Sequence, residues 1–190
     1  MRIVGGAFSG RRLASVGGGA PEAHLRPTPD RVREALFNLL EHGDYPPIEG
    51  GRALDLFAGT GALGLEALSR GAERAQFVEE HPTARALIRQ NIETLGVIGR
   101  SKLFRRDATR LGPWRGAAPF SHVFLDPPYR KDLGPKALAS AREGGWLADG
   151  AVAVLEIAGD EEAPEIAGFK RCDLRRYGDT QILVMVRSGS

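Results

Sequence analysis

The chain has one cysteine, two methionines and two tryptophans in 190 residues, and only 7% of it is aromatic. A single thiol, Cys172, permits neither an internal disulfide nor a cysteine-rich metal cluster, which is the usage of a reducing cytosol. No apolar stretch approaches the ~20 residues that a membrane span requires, and the N-terminus lacks the apolar core of a secretory signal. A soluble, cytoplasmic protein is therefore expected. The four histidines, His24, His42, His81 and His122, lie scattered without metal-ligand spacing, so they read as surface or packing residues and no metal is expected. There is no internal repeat.

What is present fits one domain with a small appendage, with an apolar share of 42%. Net charge is only +2, but it is unevenly spread. Met1 to Arg33 carries six arginines (Arg2, Arg11, Arg12, Arg26, Arg31 and Arg33) against Glu22 and Asp30, giving +4 and leaving −2 for the remainder. A basic arm on a mildly acidic body is the asymmetry expected where one end meets a polyanion, so these six arginines are the candidate contacts to it. The arm, residues 1–45, reads as a short β-hairpin (Met1–Val4 with Arg11–Leu13), a flexible glycine stretch from Ser15 to Ala20, and a helix opened by Thr28-Pro29-Asp30 with Thr28 as N-cap. Val32, Leu36, Leu39 and Leu40 make that helix's apolar stripe, which leaves Arg31, Arg33 and Glu34 on other faces.

From residue 46 to 190 short apolar runs alternate with helical segments, the signal of β-α-β units around a parallel sheet. Strands are expected near Ala53–Phe57, Ala75–Glu79, Lys102–Arg105, Ser121–Leu125 and Ala151–Ile157, and helices over Ala62–Arg70 and from Pro82 to about Gly96. The helix between the third and fourth strands is poorly marked, because Gly112-Pro113 interrupts it. Phe169–Tyr177, Gly178-Asp179 and Gln181–Val186 form a closing antiparallel hairpin. The fold class is α/β, with a seven-stranded, mostly parallel sheet.

Leu54-Asp55-Leu56-Phe57-Ala58-Gly59-Thr60-Gly61-Ala62-Leu63-Gly64 is a strand, a glycine turn and a helix start, where a ligand can approach the backbone closely. Glu79 ends the next strand, where a carboxylate can hold both hydroxyls of a ribose. Asp107, in Arg105-Arg106-Asp107-Ala108, can accept from an adenine amino group. Gly59, Gly61 and Gly64 also satisfy the dinucleotide fingerprint, so an NAD-type oxidoreductase has to be weighed. Against it, a pyrophosphate on the helix N-terminus would be repelled by Asp55 beside the loop, whereas a cationic aminoacyl sulfonium, S-adenosylmethionine, welcomes an acid there. Cofactor contacts are thus expected from Asp55, Phe57, Ala58, Gly59, Thr60, Gly61, Glu79, Asp107 and Ala108. The second constellation is Asp126-Pro127-Pro128-Tyr129, directly after the apolar run Val123-Phe124-Leu125. The nitrogen of a base's exocyclic amine shares its lone pair with the ring and attacks only when acceptors take its hydrogens. Asp126 supplies one acceptor, the stiff Pro127-Pro128 turn leaves carbonyls free to supply another, and Tyr129 can stack on the base.

With both motifs in hand the chain resembles an amino-directed, S-adenosylmethionine-dependent methyltransferase of the Rossmann-like class I fold. Arg2-Ile3-Val4-Gly5-Gly6, Gly10-Arg11-Arg12-Leu13, Leu25-Arg26-Pro27-Thr28, Asp30 to Phe37 and Phe57 to Ala67 are similar to the bacterial small-subunit ribosomal RNA guanine-N2 methyltransferase family, over about Arg2 to Val186. The resemblance implies methylation of a guanine of 16S ribosomal RNA on N2, in an assembled or partly assembled 30S subunit, by a monomer. It implies that Asp126, Pro127, Pro128 and Tyr129 orient base and amine while Gly59, Gly61, Glu79 and Asp107 hold the cofactor. Glu79-Glu80-His81 departs from the family's pattern at His81, and the strand-end position favours Glu79 over Glu80 for the ribose. An adenine-N6 methyltransferase on DNA or RNA is the runner-up, although no length is left for a target-recognition domain. A non-catalytic RNA-binding assembly factor has no chemical need for either intact motif.

Overall fold

The computed structural model describes residues 1–15 and 28–189. The stretch predicted to be flexible beyond Ser15, together with His24 and Arg26, falls outside the described residues. After an N-terminal arm come α1 (Asp30–His42), β1 (Arg52–Leu56), α2 (Ala62–Ser69), β2 (Arg74–Val78), α3 (Pro82–Leu95), β3 (Ser101–Phe104), β4 (Phe120–Leu125), α4 (Leu133–Glu143), β5 (Leu147–Ala158), β6 (Phe169–Tyr177) and β7 (Thr180–Arg187). They build a seven-stranded sheet of order β3-β2-β1-β4-β5-β7-β6. The first five strands pair in parallel, while β7 runs antiparallel between β5 and β6.

Each face of the sheet is covered. One core joins Ile3, Leu13, α1, α2 and α3 to Phe77, Phe124 and Val154; the other joins α4 and Trp146 to Leu54, Leu125 and Leu155. The basic arm therefore shares a core with the sheet. Its hairpin closes through Ile3 N–H to the Arg11 carbonyl (2.9 Å) and Gly10 N–H to the Ile3 carbonyl (2.9 Å), with a short 3₁₀ turn at Gly6–Phe8 between its two sides. Gly6 sits at φ +72° with its α-carbon so near α2 that a Cβ would lie 2.0 Å from the Ser69 carbonyl oxygen, so only glycine permits this contact. Glu66 of α2, fully buried, accepts from Val4 N–H (2.9 Å) and Gly5 N–H (2.8 Å) and pairs with Arg70 (3.0 Å).

Four readings from sequence change. Pro29, not Thr28, is the N-cap of α1, and no side chain caps that helix. Arg33 is not on a polar face: it is fully buried, and its guanidinium donates to the carbonyls of Thr28 (2.7 Å) and Arg2 and to Asp30 (2.9 Å). Between β3 and β4 there is only a single 3₁₀ turn, Ala108–Arg110, as Gly112 takes φ +69° just beyond it. The eleven residues of α4 lay unread after the proline turn because their helix begins with no capping side chain, behind Arg130 (φ +58°) and Asp132 (φ +52°). Outermost, β6 is mostly exposed and carries Lys170, Arg171, Arg175 and Arg176, charges that blunt a free sheet edge.

Candidate active site at the strand ends

Register fixes the site. Leu56 of β1 pairs with Val78 of β2 and with Leu125 of β4, Val78 pairs with Phe104 of β3, and Leu125 pairs with Leu155 of β5, so these five residues form one row across the sheet. One residue beyond that row stand Glu79, Asp126 and Glu156, and one residue before it stands Asp55. Carboxylates from four strands thus emerge at the carboxyl edge, the place where open parallel sheets bind ligands.

In the glycine loop Phe57 takes φ +60°, a strained conformation for a residue with a side chain, and Gly59 (φ +55°) and Gly61 (φ +78°) continue the sharp exit from β1. Ala58 N–H binds the Val78 carbonyl (3.2 Å) and Gly61 N–H binds the Ala58 carbonyl (2.6 Å). Glu79 accepts from Gly59 N–H (2.8 Å) and His81 N–H (2.8 Å), which ties the loop to the end of β2, while Glu80 points into solvent. Asp55 is 2% exposed and accepts from Gly64 N–H (2.9 Å) in the first turn of α2. Burial above all, with Glu79 adding to it against the Gly64 bond, pushes its carboxyl up to about 8. Asp107 accepts from the backbone and hydroxyl of Thr109 (2.8 and 2.7 Å), and the backbone of buried Ala108 follows it. Fully buried Asn91 of α3 donates to the Thr60 carbonyl (2.9 Å) and bonds Ala14 of the arm through both backbone groups (2.6 and 3.1 Å).

Asp126 leads the proline turn out of β4, with Pro127 buried, Pro128 half-buried and Tyr129 37% exposed. Glu156, 5% exposed on β5, accepts from the Tyr129 hydroxyl (2.6 Å) and from Thr28 (2.9 Å); the Thr28 hydroxyl also lies 3.3 Å from Asp126. Thr180 closes the group, 3.0 Å from the Tyr129 hydroxyl and 3.3 Å from Glu156. Burial first and the Glu156 charge second hold Asp126 well above the carboxylate range, with the Thr28 bond opposing them and Asp55 adding a little. Tyr129 is raised as well, by burial and by its bond to Glu156. A cleft of about 290 Å³ opens beside this turn between Pro127, Tyr129, Glu156 and Glu161. A groove of about 890 Å³ lies away from the strand ends, between α1 and β6.

The structure brings both sequence motifs together and adds four residues that motif reading missed: Thr28, Glu66, Asn91 and Glu156. Three of them had a signal, since Glu66, Asn91 and Glu156 are each a polar residue inside an apolar run or stripe. Of the arginines, Arg11, Arg12 and Arg31 are exposed, Arg2 is exposed beside Asp30 (3.4 Å), and Arg33 is structural. Among the described residues no group of three or more His, Cys, Asp or Glu could hold a metal ion, and no helix is long and apolar enough to cross a membrane.

Strand order and strand-end acids together define a Rossmann-like methyltransferase of class I. A family model described as Conserved hypothetical protein 95 matches residues 1–186. Ribosomal RNA small subunit methyltransferase D of Escherichia coli (strain K12) is 38% identical over 167 residues, covering 87% of this chain and 79% of that protein. YlbH of Bacillus subtilis (strain 168) is 36% identical over 192 residues, the whole of both chains. The solved structure of yhhF from Escherichia coli, 33% identical, superposes with a TM-score of 0.82 over 99% of this chain and 98% of that one. The chain belongs to this methyltransferase family, as its arginine and glycine motifs imply.

Proposed function

We propose that the protein transfers a methyl group from S-adenosylmethionine to the exocyclic N2 amine of a guanine in 16S ribosomal RNA, as a monomer acting on an assembled or partly assembled 30S subunit in the cytoplasm. Residues 46–190 carry the chemistry, and residues 1–45 meet the RNA. The observation that carries the reading is the register of β1 on β4: the glycine loop and the Asp126 turn leave neighbouring strands at one level, so a donor on the first faces an amine on the second.

The residues fit this cofactor. Glu79, half-buried on the loop, has acceptors for a ribose diol, and Asp55 stands beside the aminoacyl end, where a bound cation would favour its ionised form. A pyrophosphate fits poorly, because the Gly59 and Gly64 amides that would grip it are already taken by the carboxylates of Glu79 and Asp55. Once bound, the cofactor supplies an electrophilic methyl on a sulfonium. Asp126 and a carbonyl of the proline turn accept the two N2 hydrogens and turn the lone pair outward, while the Tyr129 ring stacks on the base. Alignment is the main contribution, with no covalent nucleophile. An amine inside a duplex is out of reach, so the guanine is unpaired or flipped. Arg2, Arg11, Arg12 and Arg31 hold phosphates, and the name of the Escherichia coli relative supports ribosomal RNA as their source. Tritium transfer from labelled S-adenosylmethionine to unmodified 30S subunits and to free 16S RNA, followed by nucleoside analysis, tests this. Label in N2-methylguanosine is expected; label in N6-methyladenosine overturns it.

A further inference from the structure

One hydroxyl touches both carboxyl groups that β4 and β5 bring to the proposed reacting corner. Thr28 Oγ1 is 2.9 Å from Glu156 Oε2 and 3.3 Å from Asp126 Oδ2, and the three residues come from three separate parts of the chain. A hydroxyl has one proton to give, and two carboxylates this close in a buried corner cannot both ionise freely. Glu156 has no basic side chain as an ion-pair partner among the described residues; its other oxygen is held by Tyr129 (2.6 Å) and Thr180 (3.3 Å). A carboxylate needed only for packing would not be placed 5% exposed beside a second acid.

We propose that Asp126, Thr28 and Glu156 are one proton-sharing unit that takes up the proton released by the methylated amine, with Thr28 and Glu156 as positioning residues acting through Asp126. The inference rests on the guanine-N2 reading. The nitrogen lone pair forms the N–C bond as the C–S bond breaks and its pair stays on sulfur. The surplus N2 proton goes to Asp126; a proton of Asp126 passes to Thr28 Oγ1 as the hydroxyl gives its own to Glu156 Oε2. One proton has then moved from N2 to Glu156, and it returns to water after the product leaves.

The unit explains why the helix cap expected of Thr28 is not made: its hydroxyl is used by the two acids. It also predicts shifts of opposite sign. Asp126 must be ionised to accept the amine, so the rate rises with pH through its titration. The groups that face it are Glu156 from β5, Thr28 ahead of α1, Asp55 from β1 and Tyr129 from its own turn. Thr28→Val removes a donor that favours ionised Asp126, so the acid limb moves to higher pH. Glu156→Gln removes a neighbouring negative charge, so the limb moves to lower pH.

The experiment is single-turnover methyl transfer from labelled S-adenosylmethionine to unmodified 30S subunits, across pH, for wild type, Thr28→Val, Thr28→Ser and Glu156→Gln, with cofactor affinity from calorimetry. In both disabled variants the plateau rate should fall about 10-fold or more with cofactor affinity kept, the limbs should move apart, and Thr28→Ser should restore the wild-type profile. Limbs that stay put, or that move in the same direction, overturn the unit. Carbon-13 carboxyl titration of the wild-type protein gives a result that needs no variant to fold: the Asp126 curve should depart from a single-site titration, as a carboxyl sharing protons with a neighbour does, and a simple single-site curve overturns it. Absence of wild-type label from guanine N2 defeats the functional reading instead, which nucleoside analysis reads separately from the pH limbs.

Discussion

Arg33 and Arg31 lie two residues apart on α1, the first fully buried and the second exposed. Replacing Arg33 with methionine keeps a long apolar stem and removes the guanidinium. Lost are the bonds to the Thr28 carbonyl (2.7 Å), the Arg2 carbonyl and Asp30 (2.9 Å). Asp30 and Arg2 have accessible surface and can turn to water, but Thr28 is 5% exposed. The cost is then one to two charge-assisted bonds plus a stranded carbonyl, offset by relief from burying a cation, or about 2–4 kcal/mol. For a domain of this size roughly 1 kcal/mol shifts Tm by about 2–4 °C, so a fall of about 5–15 °C is expected by calorimetry. Activity should fall as well, because the freed Thr28 no longer presents its hydroxyl to Asp126 and Glu156. Exposed Arg31→Ala should melt within about 1 °C of wild type, yet the slope of log K against log salt for 16S RNA binding should flatten by roughly 0.7–1. If Arg33→Met melts with the wild type and loses the salt slope instead, the assignment of a buried tie to Arg33 is wrong.

Three further outcomes follow from the site. Asp126→Asn should keep its affinity for S-adenosylmethionine in calorimetry and lose about 100-fold or more in turnover; wild-type turnover would remove Asp126 from the mechanism. Tyr129→Phe keeps the ring and should stay near wild type, whereas Tyr129→Ala should lose roughly 1–3 kcal/mol of base stacking, read as kcat/KM on 30S subunits; equal losses in both would shift the role from ring to hydroxyl. Asp55 is held at about 8 against an ordinary 3.8, chiefly by burial, so folding takes up a proton between those values. That contribution to stability is full below 3.8 and is lost as pH rises through about 8. Asp55→Asn, which keeps an acceptor for the Gly64 amide, should melt close to wild type near pH 4 and above it near pH 9, while its cofactor affinity falls. A wild-type melting profile at both pH values would sink the assignment.

Much of the fold was legible because parallel strands covered on both faces read as short apolar runs, and Gly96 and Pro82 mark the ends of α3 without tertiary help. Gly5-Gly6 lie between the two sides of the arm's hairpin as its pattern implies, but Gly6 is also required by the approach of the Ser69 carbonyl, which only the folded chain reveals. Arg33 misled for a related reason. An arginine between apolar stripe positions is surface by default, and its burial depends on carbonyls at Arg2 and Thr28 that converge only when the arm folds back on α1. In the site, acids at strand ends could be ranked by position, so Glu79 stood ahead of Glu80. Glu156 stood equally well at a strand end but lacked a neighbouring motif, and its partner Thr28 is 128 residues away.

Asp55, Glu79, Asp126 and Glu156 stand at one edge of the sheet, and no Lys or Arg side chain forms an ion pair with any of them among the described residues. Their oxygens are held by neutral donors: the amides of Gly59, Gly64 and His81 and the hydroxyls of Thr28, Tyr129 and Thr180. Basic partners are used elsewhere, as Arg70 binds Glu41 and Glu66, and Arg130 binds Asp160. Neutral donors orient these carboxyls without supplying a competing positive charge, so a bound cation is free to favour their ionised forms. Burial first and the neighbouring acids after it raise the Asp55 and Asp126 carboxyls, so the free edge holds protons that a bound cation would displace. An acidic edge is a poor place for phosphates, so on the proposed function there is a physical reason for the arginines to sit on the arm: RNA phosphates would be drawn to exposed Arg12 and Arg31 while only the uncharged base reaches the acids.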